Sequence, residues 1–200
     1  MQVRPFSTCD LAGMYRVCLL TGDSGGDGTR FYRDPDLLGH VYAAPYPVAD
    51  PGLAWVVTDE DGVAGYVVGT ADSQAFARWQ EDVWWPPLRE RYPLRPEVEG
   101  LRDHDLLQTI HRGSRYEEEL TAAYPAHLHI DLLPRAQGRG LGRTLIETLT
   151  GALRERGVPG VHLKVSEQNP GAIAFYGRVG FQEVATASWG RTLGMDLRAS

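Results

Sequence analysis

Pro125-Ala126-His127-Leu128-His129-Ile130-Asp131-Leu132-Leu133-Pro134-Arg135-Ala136-Gln137-Gly138-Arg139-Gly140-Leu141-Gly142-Arg143-Thr144 is the stretch whose reading decides the fold. Its first half alternates: His127, His129, Asp131 and Leu133 point one way, and Leu128, Ile130 and Leu132 the other. That period of two predicts a strand with one apolar and one titratable face. From Gln137 to Gly142 there is little side-chain bulk, so backbone N–H groups there can approach a bound group at the start of a helix. Such a turn suits phosphate.

Downstream, Leu141, Leu145, Leu149 and Leu153 recur every four residues with Ile146 beside them, which predicts an amphipathic helix over 140–156, stopped by Gly157. A strand over 161–165 follows, then a short helix with Asn169 as its cap and Pro170 in its first turn, ending at Gly180. Residues 181–187 and 192–197 read as two closing strands. Upstream, 53–58 and 63–70 read as an antiparallel hairpin, in which Gly65 and Gly69 weaken the second strand or let something pass close. A strand over 2–6 and a helix through Leu11, Met14, Tyr15 and Cys18 open the chain. A further helix over 73–91 is interrupted near Pro86 and Pro87, and a short one spans 103–111. Trp84 and Trp85 are assigned to packing, Asp34 and Asp36 to helix caps, and His104 and His111 to the surface. The acidic segment 21–29, which includes Asp23 and Asp27, reads either as a solvated connector or as a mobile loop over a pocket.

Apolar residues make up 42% and charged residues 23%, which is enough apolar content for a full core and excludes disorder. With no low-complexity linker, residues 1–200 read as one domain of mixed α/β class. A net charge of −6 argues against general nucleic-acid binding. No apolar run is long enough to span a membrane and no leader is evident, so a cytoplasmic location is the expectation. Cys9 and Cys18, nine positions apart, are expected on one helix, too far apart for a disulfide and remote from the glycine turn. No metal-ligand spacing is present, and monomer and homodimer both stay open.

Gln137-x-x-Gly140-x-Gly142 is weak evidence alone; it lacks the spacing of a dinucleotide fingerprint and the Lys-Ser/Thr ending of a P-loop. Followed some 30 residues later by Asn169-Pro170-Gly171-Ala172-Ile173-Ala174-Phe175-Tyr176-Gly177-Arg178-Val179-Gly180-Phe181, it resembles the GNAT superfamily of acyl-CoA-dependent N-acyltransferases. Residues 21–27, 32–37 and 125–134 are also similar to a bacterial subgroup like the acetyltransferase-like C-terminal domain of eukaryotic O-GlcNAcase. The resemblance implies a central mixed, mostly antiparallel sheet, splayed at the acyl-CoA site and flanked by helices on both faces. It implies acetyl-CoA as co-substrate, held by the amides of Gln137, Gly138, Arg139, Gly140, Leu141 and Gly142. Arg135, Arg139 or Arg143 would add charge, and backbone bonds would come from Leu132 and Leu133. It places Asn169 at the pantetheine arm and Tyr176 at the position of the general acid.

Direct attack on a thioester needs a neutral amine, whereas an alkyl ammonium has a pKa of about 10. The superfamily often draws its base from this strand as a glutamate, and here there is none. Asp131 and His129 share a face with Cα atoms roughly 6.5 to 7 Å apart. Asp131, nearest the turn, is the first choice, His129 the second and His127 the third. A purely structural role for all three stays open. The expected activity is acetyl transfer to an amine, small or lysine-borne, in a ternary complex, with Asp23 and Asp27 hinting at a cationic acceptor. The alternative is a catalytically inactive acyl-CoA-binding or protein-interaction domain of the same fold.

Overall fold

Along the central hairpin, Val56, Tyr66 and Val68 face one core, while Val57, Ala64 and Val67 face another. A sheet buried on both faces needs helices on both, and the chain supplies them. The computed structural model describes residues 1–198. In order it runs β1 (Gln2–Pro5), α1 (Leu11–Leu20), α2 (Leu37–Tyr42), α3 (Pro45–Ala49), β2 (Ala54–Asp59), β3 (Gly62–Thr70), α4 (Ser73–Trp79) and α5 (Trp85–Arg91). There follow α6 (Asp103–Arg112), α7 (Glu118–Ala123), β4 (Ala126–Leu132), α8 (Leu141–Glu155), β5 (Gly160–Ser166), α9 (Pro170–Arg178), β6 (Gln182–Ala187) and β7 (Gly190–Asp196). The sheet order is β1-β2-β3-β4-β5-β7-β6. Every pairing is antiparallel except β4 with β5.

That one parallel pairing creates the site. β4 and β5 are in register only at Ala126↔Val161 and His127↔His162, and the rest of each strand has no ladder partner on that side. The sheet is therefore splayed from His127 onward. One core packs α1, α2 and α6 on the sheet through Met14, Val17, Leu37, Val41 and Ile110. The other packs α8 through Leu145, Ile146, Leu149 and Leu153. Gly65 carries no side chain where Leu132 crosses it: an added Cβ would collide with the Leu132 side chain.

Several local expectations are sharpened. Pro86 and Pro87 sit in the first turn of α5, after a π-helical turn at Gln80–Trp84, and Trp85 is fully buried. Asp34 holds the Asp36 N–H at 2.9 Å and accepts from Tyr92 Oη at 2.8 Å. The connector after α1 is pinned: Asp23 and Gly26 exchange backbone bonds of 2.9 Å, and the Gly28 N–H donates to Leu19 O. α7 has no clear signal in the sequence. Cys9 lies in a 3-10 turn ahead of α1, and no described helix is long and apolar enough to cross a membrane.

Candidate active site

The titratable face of β4 opens into a cleft of about 1330 Å³ in the splay. The cleft brings together His127, His129, Asp131, Leu132, Gln137, Gly138, Gly140, Gly142, Arg143, Asn169 and Tyr176. It leaves out several residues expected there. Arg135 is turned to the β2–β3 hairpin, where it pairs with Asp59 at 2.9 Å, and Arg139 donates to Arg135 O at 3.1 Å. Leu133 is buried in the helical core, its N–H bonded to Ala64 O. Leu141 packs against the opposite core. Asp23 is taken up by Arg102 at 2.9 Å and Arg30 at 3.5 Å, and Asp27 caps Thr29. Cys18 also lines the cleft, because α1 lies across β3 and β4.

At the mouth of the splay the backbone is free to bind. The ladder bond at Leu133 N–H turns the N–H and C=O of Leu132 away from β3, toward the gap, by the alternation of antiparallel pairing. Gln137 Nε2 donates to Leu132 O at 2.8 Å and braces the strand end against the turn. Gly140 caps α8 with φ +77°, a left-handed conformation, and an added Cβ there would meet no atom within 4 Å. Among the described residues, the amides of 138–143 form no hydrogen bond within the protein. A row of unpaired N–H groups at the positive end of a 15-residue helix has the charge and donors that suit an anion. Arg143 also lines it, donating to Arg178 O at 3.0 Å.

The three candidate bases differ sharply in their surroundings. His127 is locked: Ser73 Oγ donates to Pro125 O at 2.7 Å and so accepts from His127 Nδ1, also at 2.7 Å. Nε2 is then the acceptor for the hydroxyls of Tyr46 at 2.9 Å and Tyr116 at 3.1 Å. Burial, with His129 and His162 nearby, holds His127 well below the ordinary histidine pKa. His129 forms no hydrogen bond with a described residue; its ring stands against Tyr42 at 5.4 Å and Tyr46 at 5.3 Å. Burial, reinforced by His162, pushes it down to about 4. Asp131 accepts from Tyr66 Oη at 2.5 Å. Burial raises its pKa above the ordinary carboxylate value, against the lowering effect of the Tyr66 and Thr21 hydroxyls.

Tyr176, on α9, is held between Phe175 and Phe181, and burial first and Asp131 second raise its phenol pKa. It stays protonated and able to donate. Asn169 Oδ1 caps α9 by accepting the Ala172 N–H at 3.0 Å, which leaves its Nδ2 for the cleft it lines. Cys18 is no nucleophile despite its place, because burial raises its thiol pKa and favours the neutral form. Tyr32, Tyr42, Tyr46, Tyr116 and Asp105 also line the cleft. The sequence does not single out these tyrosines or Tyr66; the period-two placement of Tyr66 and Val68 on β3 is the only signal of the latter.

Residues 28–181 match the sequence profile of the Acetyltransferase (GNAT) family. Protein O-GlcNAcase of Rattus norvegicus is 24% identical over 185 residues, 92% of this chain but 20% of that protein, so the chain spans a fifth of its length. Mycothiol acetyltransferase of Beutenbergia cavernae is 50% identical over 52 residues, 26% of this chain and 18% of that one. Among solved structures, SsHAT superimposes with a TM-score of 0.91 at 41% identity over 98% of each chain. The structure of yncA from Salmonella typhimurium with its cofactor acetyl-CoA covers all of this chain and 95% of that one, with a TM-score of 0.57 at 16% identity, and shares the fold. The splayed β4–β5 pair, the amide turn ahead of α8 and the match over 28–181 have one conclusion: the chain belongs to the GNAT acetyltransferase family.

Proposed function

We propose that this protein transfers the acetyl group of acetyl-CoA directly to a primary amine in a ternary complex. The observation that carries the reading is one cleft lined both by the turn whose amides at 138–143 are free and by Asp131, Tyr176 and several tyrosines. Acetyl-CoA supplies a thioester carbon open to attack, with a thiol as leaving group. The amides and Arg143 fit its pyrophosphate; the Leu132 backbone and Asn169 fit the pantetheine arm.

Asp131 takes a proton from the incoming ammonium, directly or through a water. A carboxylate with a raised pKa is a stronger base than a free one. The Leu132 N–H, aimed into the gap, steadies the developing oxyanion. Tyr176 Oη gives its proton to the departing sulfur and is reprotonated from the amine side. Tyr32, Tyr42, Tyr46 and Tyr116, with Asp105 and Asp131, suit a cationic acceptor; Asp23, committed to Arg102 and Arg30, does not take that part.

Calorimetry with acetyl-CoA, followed by thiol release over a panel of alkyl amines and lysine peptides, tests the reading. No binding at millimolar acetyl-CoA defeats it, and binding without turnover on any amine leaves the inactive-binder alternative. An acetyl group trapped on Cys18 or Cys9 defeats the ternary complex. Two variants give graded results. Tyr176→Phe is expected to lower kcat only about tenfold, because a thiol with pKa near 8.5 leaves with modest acid assistance. Gly140→Ala, forced to φ +77° at about 1–2 kcal/mol, is expected to weaken acetyl-CoA about tenfold by calorimetry.

A further inference from the structure

Tyr66 lies directly across the β3–β4 ladder from Asp131, on the same face, and is fully buried. Its hydroxyl donates to Asp131 Oδ2 at 2.5 Å. Asp131 lines the cleft, whereas Tyr66 does not, so Tyr66 meets neither substrate.

We infer that Tyr66 is the positioning residue for acetyl transfer: it fixes Asp131 by Oδ2 and presents the Oδ1 edge to the acceptor amine. The inference rests on Asp131 being the base. A carboxylate has two oxygens and a rotatable terminal torsion, and one short, charge-assisted bond from a rigid β-strand neighbour removes that freedom. The cross-strand register matters because it places the phenol at a fixed height on the face. The other groups facing Asp131 are Cys18 from α1, Thr21 at the C-terminal cap of α1, whose hydroxyl proton goes to Val17 O at 2.8 Å, and Tyr176 from α9; His129 lies two residues away on β4. None of them matches the Tyr66 contact.

Tyr66→Phe keeps the ring and its packing and deletes one hydroxyl, and unchanged acetyl-CoA affinity would report an intact fold. A hydrogen bond to a carboxylate favours its charged form, so deleting it raises the Asp131 pKa. The acid limb of the kcat/KM profile for the amine is expected to move up by about one pH unit. On the plateau, kcat is expected to fall about fivefold. In an Asp131→Asn background the same change is expected to add nothing, because Tyr66 acts through Asp131. An unmoved limb, or a full additive loss in the double variant, while Asp131→Asn alone is inactive, overturns the role of Tyr66 and leaves the base in place. Full turnover in Asp131→Asn removes the base itself, and the positioning role falls with it.

Discussion

Asp131→Asn is expected to lower kcat with the preferred amine about 10³-fold while acetyl-CoA affinity changes less than about twofold, since general-base removal costs 10² to 10⁴. The substitution is close to isosteric, and an asparagine oxygen can still accept from Tyr66 Oη, so the β3–β4 contact survives. What it cannot do is hold a proton. The amine meets the cleft as an ammonium with pKa of about 10, so at pH 7.5 only a few parts per thousand are free base. The defect is therefore expected to shrink as pH rises toward 10 and solvent does the deprotonation. His129→Gln is expected to cost far less, because an imidazole held down to about 4 is a weak proton acceptor. Steady-state kinetics over pH 6 to 10, with calorimetry for acetyl-CoA, measures all three statements; equal losses in the two variants would mean the strand face acts as a unit.

The parts of this site that could be read from the sequence are those carried by local periodicity. Alternation from His127 to Leu133 specifies which side chains share a face, the leucines at 141, 145, 149 and 153 specify a helix, and Asn169-Pro170 specifies its successor. Long-range geometry was not legible. Arg135 adjoins the glycine turn in sequence, yet its guanidinium crosses to Asp59 on the hairpin, 76 residues away. Leu133 extends the alternation of β4, but its N–H closes the ladder to Ala64, so the free backbone belongs to Leu132. Cys18 and Tyr66 reach Asp131 only through the packing of α1 on the sheet and the register of β3 on β4, neither of which a period reveals. The acidic segment shows the same limit: composition gives its charge, but Arg30 and Arg102, which neutralise Asp23, come from other segments.

Stability is expected to fall between pH 7.5 and pH 5, by about 2 kcal/mol from His129 alone, measured as the shift in urea-unfolding free energy. The histidines of the cleft floor are the cause. The rings of His127 and His162 lie 5.6 Å apart, and those of His127 and His129 6.2 Å apart. Around His127 stand Ser73, Tyr46, Tyr116, Phe76 and the other two histidines, with Lys164 further off on β5, and no carboxylate. Protonation would turn Nε2 from acceptor to donor against two hydroxyls aimed at it. In the unfolded chain each histidine titrates near 6.5, whereas in the folded chain His127, His129 and His162 are all lowered, chiefly by burial. Below pH 6.5 the unfolded chain therefore binds protons that the folded chain refuses, and stability drops with falling pH until the folded groups titrate, near 4 for His129. At pH 5, 1.5 units below the unfolded value, a histidine that stays neutral costs about 2 kcal/mol, which is the share of His129; His127 and His162 act in the same direction. Asp131 works in the opposite direction: its raised pKa makes the folded chain take up a proton first, so it offsets part of the loss as pH falls through its own titration. His129→Gln separates the contributions, since it should return about 2 kcal/mol at pH 5 and little at pH 7.5. A pH-independent unfolding free energy in the parent protein would mean that the histidine cluster accepts protons within the folded cleft, and a charged cluster of that kind would repel the cationic acceptor proposed for it.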